Sequence, residues 1–346
     1  MLGVGVVGYG YWGPNMARNL AEHPEIALVG LCDRREEPRA LARRRFPTAK
    51  VTPDYGDLLA DPRVDVIAIC TPVASHYELA RLALESGRHV LVEKPLTMNV
   101  DDAARLIDLA HRKDRLLMVD HTPLFNPAVR KIRDLVATGH LGSRVLYYDS
   151  VRVNLGLFQH DVNVLWDLAV HDLSVMLNVL GTQPLAVSAT GVAHVPNRPE
   201  NLAYLTCFFE GNLIAHLHAN WLAPVKVRQT LIGGDEKMIV YNDLEPSEKL
   251  KIYDKGVRVS DDGTGGSAQP ASRIDYRAGD MWAPKIPAQE ALNLEVQEFA
   301  DAILRGRPFP SDGRTGLQVV QILQAADQSM RNRGLPVEIT PVALDL

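Results

Sequence analysis

The chain has 346 residues, 46% of them hydrophobic and 23% charged, with a formal net charge of −5. This length favours two domains over a single core, and the composition is that of an ordinary globular protein. A net negative charge gives no general attraction to nucleic acids or anionic membranes, and no apolar run approaches the length of a membrane span. Because a strand is predicted almost at the first residue, we expect no signal peptide.

Three cysteines occur in the chain, and each lies in an apolar run with the pattern of a buried strand. Cys32, Cys70 and Cys207 show none of the short spacings that metal ligands require, so no metal site is predicted. We expect three buried free thiols, as in a protein of the reducing cytoplasm.

The chain opens with a short apolar run, residues 3–7, which predicts a buried strand that ends at Gly8. Gly8, Gly10 and Gly13 follow the order G-x-G-x-x-G. Pro14 suits the first turn of a helix, because the N–H that it lacks would be unpaired there anyway. Strand, glycine turn and helix N-terminus together predict a site for the pyrophosphate of a dinucleotide.

A second predicted strand, Ile26–Cys32, ends at Asp33. This carboxylate comes about 20 residues after the glycine turn, where dinucleotide sites bind the ribose hydroxyls. A carboxylate there repels a 2′-phosphate and favours NAD, whereas Arg34 could bind that phosphate, so NADP stays possible. Tyr11 and Trp12 are expected to line the pyrophosphate or nicotinamide end, or else to pack against the sheet.

Predicted strands and helices alternate as far as residue 119, which indicates a parallel sheet. Ligands of such sheets bind at the carboxyl ends of the strands. The further residues expected at these ends and at the coenzyme are Thr71, Pro72, Glu93 and Lys94. His76, at the start of the next predicted helix, is another expected coenzyme contact.

Lys94 is a candidate catalytic residue, because it follows a buried strand and precedes Pro95, which favours an extended conformation. Its ammonium is expected to point into the coenzyme crevice and to polarise a substrate oxygen or join a proton relay. The alternative is a surface lysine whose stem lies along apolar neighbours.

The pattern changes near residue 122, where we place a domain boundary. Residues 1–122 are predicted to form an α/β Rossmann domain that binds NAD(P), and residues 123–346 an α+β domain for substrate binding and oligomerisation. Near-consecutive strand-like runs between residues 145 and 253 predict a large, mostly antiparallel, open-faced sheet. A mobile loop rich in Gly, Ser and Asp and two closing helices are then expected: residues 261–272, 287–304 and 316–331.

One predicted helix, residues 164–180, is apolar on nearly every side and is therefore expected to be buried. Four polar residues nevertheless form one stripe along it: Asp167, His171, Ser174 and Asn178. Since Asp167 and His171 are neighbours on the helix surface, the carboxylate can orient the imidazole, and the pair is a candidate acid–base unit. A purely structural pair is an equal alternative.

These motifs resemble, in their order along the chain, those of the Gfo/Idh/MocA oxidoreductase family: the turn at residues 8–13, Thr71-Pro72…His76, Glu93-Lys94-Pro95 and Asp167-x-x-x-His171. The resemblance covers most of the chain, including the predicted C-terminal sheet and the last two helices. It implies that Lys94, Asp167 and His171 surround the hydroxyl of a sugar beside the nicotinamide.

The chain departs from the family pattern at three places: Asp161-Val162-Asn163 replaces a common Gly-Gly-Gly run, Leu124 replaces a common Arg, and Ala169 replaces the middle Gly of D-x-G-x-H. Residues 152–163 are dense in hydrogen-bonding side chains and resemble the subgroup of sugar-nucleotide and amino-sugar pathways. The predicted sugar contacts are His121 (equally a core histidine), Arg152, Asn154, Gln159, His160 and Asn163.

We therefore expect an NAD-dependent oxidoreductase that moves a hydride between the nicotinamide and a ring hydroxyl or ketone of a nucleotide sugar or amino sugar. His171, oriented by Asp167, takes the hydroxyl proton while Lys94 stabilises the developing negative oxygen. Two alternatives stay open: an NAD-dependent glycoside hydrolase acting by transient oxidation, and a non-catalytic NAD-binding sensor. The uncovered sheet face predicts a homodimer or homotetramer, expected in the cytoplasm.

Overall fold

The computed structural model describes residues 1–261, 272–342 and 344, and these fall into two compact units. The first unit contains Met1–Asn126 and Gln289–Ala325, together with residues 339–342. The second contains the described residues of Pro127–Ala288 and of Ala326–Glu338. Within the described ranges, no helix is both long and apolar enough to span a membrane.

Helices and strands alternate first and strands dominate later, as the sequence predicts. In chain order the helices are α1 (Gly13–Glu22), α2 (Glu36–Arg45), α3 (Gly56–Leu59), α4 (His76–Glu85), α5 (Val100–Arg112), α6 (Pro127–Ala137), α7 (Val170–Leu180), α8 (Ala291–Arg305) and α9 (Gly313–Arg331). The strands are β1 (Leu2–Val7), β2 (Ile26–Cys32), β3 (Lys50–Thr52), β4 (Val66–Ile69), β5 (His89–Glu93), β6 (Leu117–Asp120), β7 (Val145–Leu155), β8 (Ala186–Val192), β9 (Leu202–Phe208), β10 (Ile214–Asn220), β11 (Leu222–Gly234), β12 (Met238–Asn242), β13 (Leu250–Tyr253), β14 (Gly256–Asp261), β15 (Ser272–Arg277), β16 (Met281–Trp282) and β17 (Val337–Glu338).

The first unit is built on a six-stranded parallel sheet in the order β3-β2-β1-β4-β5-β6. This is the strand order of dinucleotide-binding Rossmann folds, in which the chain reverses direction across the sheet between β1 and β4. Every residue of β1 is buried, because helices cover both faces of a parallel sheet and leave no side for water. The predicted Rossmann fold is confirmed.

The first unit also contains a helix from late in the chain. The apolar face of α8 enters the same core as α1, with Val296 and Phe299 fully buried beside Met16 and Leu20. A backbone hydrogen bond of 2.8 Å from Val119 to Ser311 fixes the segment after α8 to β6. The sequence analysis predicts a single domain boundary, after residue 122. In the structure, residues 289–325 return to the first unit, so the chain passes between the two units more than once.

The second unit contains a nine-stranded sheet in the order β16-β13-β12-β11-β7-β10-β9-β8-β17. Its neighbouring strands are antiparallel except β7 and β10, so the predicted mostly antiparallel sheet is confirmed. Burial alternates along β10: Ala215 and Leu217 are buried, whereas Ile214 is exposed. On the exposed face the Tyr204 ring stacks on His218, with 4.5 Å between the ring centroids.

Two local expectations differ from the structure. The predicted loop at residues 261–272 lies mostly outside the described residues, but its flanks pair as the antiparallel strands β14 and β15, which were not predicted. Cys32 and Cys207 are buried as expected, whereas Cys70 is only half-buried. Cys70 follows the last residue of β4, at the carboxyl edge of the sheet.

Candidate active site

The glycine turn after β1 is built from backbone that only glycine can supply. Gly8 has a φ of +90°, and a Cβ atom there would lie 2.7 Å from the carbonyl oxygen of Cys70. A Cβ atom on Gly13 would lie 2.1 Å from the carbonyl oxygen of Gly8. Trp12 precedes α1, and Pro14 stands in its first turn. The turn and the helix N-terminus therefore fit the pyrophosphate of a dinucleotide.

Asp33 lies at the carboxyl end of β2 and accepts two backbone hydrogen bonds of 2.9 Å, from the N–H groups of Tyr9 and Arg35. Burial raises the pKa of the Asp33 carboxyl, but these bonds and the Arg35 guanidinium outweigh burial and hold the pKa below its usual value. Asp33 is therefore an anion at neutral pH beside the glycine turn. Arg34 and Tyr11 are both exposed.

The segments that follow β4 and β5 are joined by His76. Its buried ring lies between two carbonyl oxygens, with Nδ1 2.9 Å from that of Pro95 and Nε2 2.8 Å from that of Thr71. Burial lowers the pKa of the His76 imidazole. His76 therefore supports the segment that carries Thr71 and the segment that carries Lys94. Pro72, which follows Thr71, is exposed.

Glu93 and Lys94 lie at the end of β5, and both are half-buried. His121 follows β6 and is fully buried, with its Nδ1 3.0 Å from the Ser311 hydroxyl. Burial, together with the positive charge of Lys94, lowers the pKa of His121 to about 3. The structure thus buries His121 as a neutral core histidine, which was the alternative to its predicted sugar contact.

In the second unit, the predicted helix over residues 164–180 is not uniform. It begins with a π-helical turn, Leu165–Ala169, which contains Asp167 and leads directly into α7. Such turns occur frequently at functional sites. Asp167 and His171 are both half-buried, and the indole N–H of Trp221 donates a hydrogen bond of 3.0 Å to Oδ2 of Asp167.

The start of this helix is anchored by Asn163. Its Oδ1 accepts a hydrogen bond of 3.0 Å from the backbone N–H of Leu165, and its Nδ2 donates one of 2.8 Å to Asp327. Asp327 also accepts a hydrogen bond from the Trp166 indole over 2.9 Å. Asn163 is therefore a helix cap, and both the oxygen and the nitrogen of its side-chain amide already make hydrogen bonds within the protein.

Arg152 is engaged in a buried ion pair with the residue after His171. Its Nε and Nη2 donate hydrogen bonds of 2.6 and 3.1 Å to the Asp172 carboxylate, and both side chains are about nine-tenths buried. This two-point bond ties β7 to α7. Of the other predicted sugar contacts, Asn154 and Gln159 are half-buried and His160 is exposed.

Two residues of these surroundings were not predicted. Trp221 follows β10 and is separated from Asp167 by 54 residues, so no local pattern indicates its bond to the carboxylate. Asp120 ends β6 as Glu93 ends β5, and its Oδ2 accepts a hydrogen bond of 2.6 Å from the Trp12 indole. Because ligands of parallel sheets bind at the carboxyl ends of the strands, the position of Asp120 at the end of β6 could have marked it as a candidate site residue.

The first unit has the strand order, glycine turn and strand-end acid of a nucleotide-dependent oxidoreductase, and the second has a large sheet with a buried helix that carries Asp167 and His171. Residues 2–121 match the family model described as an oxidoreductase family with an NAD-binding Rossmann fold. Residues 129–240 match the GFO/IDH/MocA C-terminal domain. The chain belongs to the Gfo/Idh/MocA family of NAD-binding oxidoreductases.

Individual relatives are similar over most of the chain. UDP-N-acetylglucosamine 3-dehydrogenase of Acidithiobacillus ferrooxidans is 28% identical over 319 residues, which are 91% of this chain and 93% of that enzyme. Its solved structure has a TM-score of 0.78 at 26% identity and covers 95% of this chain and 98% of that one. The uncharacterized oxidoreductase YdgJ of Escherichia coli is 30% identical over 266 residues, covering 71% and 72% of the two chains.

Proposed function

We propose that this protein is an NAD-dependent dehydrogenase that moves a hydride between the nicotinamide and a ring hydroxyl or ketone of a nucleotide sugar or amino sugar. The observation that carries the proposal is the half-buried Asp167, held by the Trp221 indole at a π-helical turn, four residues before His171. The similarity to a UDP-N-acetylglucosamine dehydrogenase supports the substrate class.

Three residues have separate roles in the proposed hydride transfer. His171 takes the hydroxyl proton, and Asp167 orients its imidazole and stabilises the cation that forms. Lys94 stabilises the negative charge that develops on the substrate oxygen. NAD, held by the glycine turn and Asp33, would supply the hydride acceptor.

The coenzyme is proposed to bind along the carboxyl edge of the parallel sheet. Gly8, Gly10 and Gly13 bring backbone to the pyrophosphate, and Asp33 accepts hydrogen bonds from the ribose hydroxyls. Arg34 is the residue that would bind a 2′-phosphate if NADP is used. Residues 1–122 thus supply the coenzyme site, with α8 completing their core, and residues of the second unit supply the sugar site.

The remaining proposals concern assembly and location. The exposed face of the nine-stranded sheet carries large apolar side chains, of which Ile214 is 42% and Tyr204 40% exposed. Burial of that face against a second copy would give a homodimer or homotetramer. Free cysteine side chains fit a reducing compartment, and we propose the cytoplasm.

The test is to incubate the protein with NAD and a panel of nucleotide and amino sugars and to follow NADH by its absorbance. Lys94→Ala and His171→Ala are expected to lose most turnover while still binding NADH. Near-normal turnover in both variants would contradict the assigned roles. Release of a free sugar without net NADH would instead identify a hydrolase, and the absence of turnover together with an NAD-dependent effect on a protein partner would identify a sensor.

A further inference from the structure

Helix α8 carries an acidic residue into the core of the first unit. Glu295 is fully buried between Leu292 and Phe299 on the inward face of the helix. Its carboxyl lies beside Asp120 and Thr122, at the end of β6. Among the described residues, no donor makes a hydrogen bond of ordinary geometry to either of its oxygens. A buried carboxylate without a donor or cation is costly, so this side chain needs an explanation.

Asp120 is the hydrogen-bond acceptor of the pair. It is only 1% exposed, and both of its oxygens already accept hydrogen bonds: Oδ2 from the Trp12 indole over 2.6 Å and Oδ1 from the Thr122 hydroxyl over 2.5 Å. A carboxyl group whose two oxygens both accept hydrogen bonds has little room for a proton of its own. A proton between the two acids therefore belongs on Glu295.

The other charges near Glu295 favour the same state. Burial, and next the negative charge of Asp120, raise the pKa of Glu295 well above its usual range, and Glu93 at the end of β5 adds to this. Cys70, after β4, also interacts with Glu295, and burial raises the pKa of its thiol as well. Two carboxyl groups in one apolar site cannot both ionise at neutral pH.

We propose that Glu295 is a neutral acid that shares its proton with Asp120, and that this pair holds the Trp12 indole and thereby the glycine turn in the form that binds the coenzyme. Trp12 stands directly before α1, so fixing its ring fixes the backbone that must approach the pyrophosphate. A turn that is ordered before binding loses less conformational entropy when the coenzyme arrives. The two acids are thus positioning residues, and the inference rests on the coenzyme site proposed above but not on the sugar.

The first test is NADH binding, measured by calorimetry. Glu295→Leu removes the acid proton and is expected to weaken NADH binding about tenfold, the effect of one hydrogen bond to a charged group. Trp12→Phe keeps a ring but removes the indole donor, and a similar loss is expected. Glu295→Gln restores a neutral donor to Asp120 and is expected to bind NADH within about twofold of the wild type. Gln297→Leu, on the exposed face of the same helix, is the control.

The second test needs no coenzyme. Above pH 4.5, the usual pKa of Glu295, the unfolded chain loses a proton that the folded protein keeps, so this residue lowers stability as the pH rises. The Glu295→Gln variant has no titratable group at this position, so it lacks this dependence of stability on pH. The unfolding midpoint of Glu295→Gln in urea is therefore expected to rise relative to the wild type between pH 5 and pH 8, while that of Gln297→Leu follows the wild type.

The outcomes separate this inference from the proposed function. Folded Glu295→Leu and Trp12→Phe proteins that bind NADH as the wild type does would overturn the inference and leave the dehydrogenase proposal intact. A Glu295→Gln midpoint that runs parallel to the wild type at every pH would also overturn it. Conversely, the expected order of NADH affinities without turnover of any sugar would support the acid pair while refuting the sugar substrate.

Discussion

The indole of Trp221 donates a hydrogen bond of 3.0 Å to the Asp167 carboxylate, although 54 residues separate the two in sequence. Trp221 is only 1% exposed and its ring also contacts Phe158, with 5.6 Å between the ring centroids. The rigid core of the sheet therefore sets the orientation of the acid that is proposed to orient His171.

Trp221→Phe keeps most of the ring and removes the donor. We expect kcat to fall about tenfold, because one hydrogen bond to a charged group is lost, with little change in the KM for NAD. Steady-state kinetics at saturating sugar will measure both constants. Trp282→Phe, at an exposed edge strand, is the control and should leave kcat unchanged; an equal fall in that variant would contradict a specific role for Trp221.

Gly13→Ala is expected to destabilise the protein and to abolish NADH binding. The added methyl group would lie 2.1 Å from the Gly8 carbonyl oxygen, so the turn or α1 must shift, at a cost of about 1–3 kcal/mol. Urea unfolding and NADH titration will measure the two effects.

Gly87→Ala is the matched comparison for this variant. Gly87 has a φ of +79°, but its Cβ would have no neighbour within 4 Å. Only backbone strain of about 1 kcal/mol is expected there, with NADH binding retained. If Gly13→Ala binds NADH as well as Gly87→Ala does, the glycine turn is not the pyrophosphate site.

Asp33→Ala is expected to change the choice of coenzyme. Asp33 is an anion at neutral pH, so its removal eliminates repulsion of a 2′-phosphate and also the proposed bonds to the ribose hydroxyls. We expect the ratio of kcat/KM with NADP to that with NAD to rise about tenfold or more. Arg34→Ala should lower the same ratio, and a ratio unchanged by both substitutions would place the ribose elsewhere.

Acid should destabilise the protein partly through His121. Its pKa is about 3 in the folded protein and 6.5 in an unperturbed chain, so between these values only the unfolded chain binds the proton. The stability from this residue is therefore complete above pH 6.5 and is lost as the pH falls, by at most about 1.4 kcal/mol per pH unit.

His121→Gln removes this titration and can keep the bond to Ser311. The Ser311 hydroxyl donates to the Val119 carbonyl oxygen, so it accepts from Nδ1–H of His121, and a glutamine amide can donate in the same way. Urea unfolding from pH 7 to pH 4 should show a flatter decline for His121→Gln than for the wild type. His111→Gln, on an exposed face of α5, should decline as the wild type does.

The sequence was sufficient for the Rossmann strands and the glycine turn because these depend on local patterns. Unbroken apolar runs gave β1 and β2 to within a residue, and Gly8 and Gly13 are dictated by backbone geometry that no other residue allows. The cap of α5 is equally local, because Oδ1 of Asn99 accepts a hydrogen bond of 2.9 Å from the N–H of Asp102.

What the sequence did not predict depends on contacts between distant residues. Arg152 has the chemistry of a sugar ligand, but β7 brings it to Asp172, and no spacing indicates that pairing. The amide of Asn163 is engaged by Asp327 for the same reason. The π-helical turn around Asp167 leaves the apolar pattern of the helix unchanged, so the expected uniform α-helix was wrong at its first turn.

The return of α8 to the first unit has a consequence for synthesis of the protein on the ribosome. The nucleotide-binding half cannot complete its core when residue 126 has emerged, because Val296 and Phe299 have not yet been made. Until then α1 exposes the apolar surface that α8 will cover. A gene fragment that stops after β6 should therefore yield an aggregation-prone chain, whereas its fusion to residues 289–325 through a flexible linker should yield a folded one.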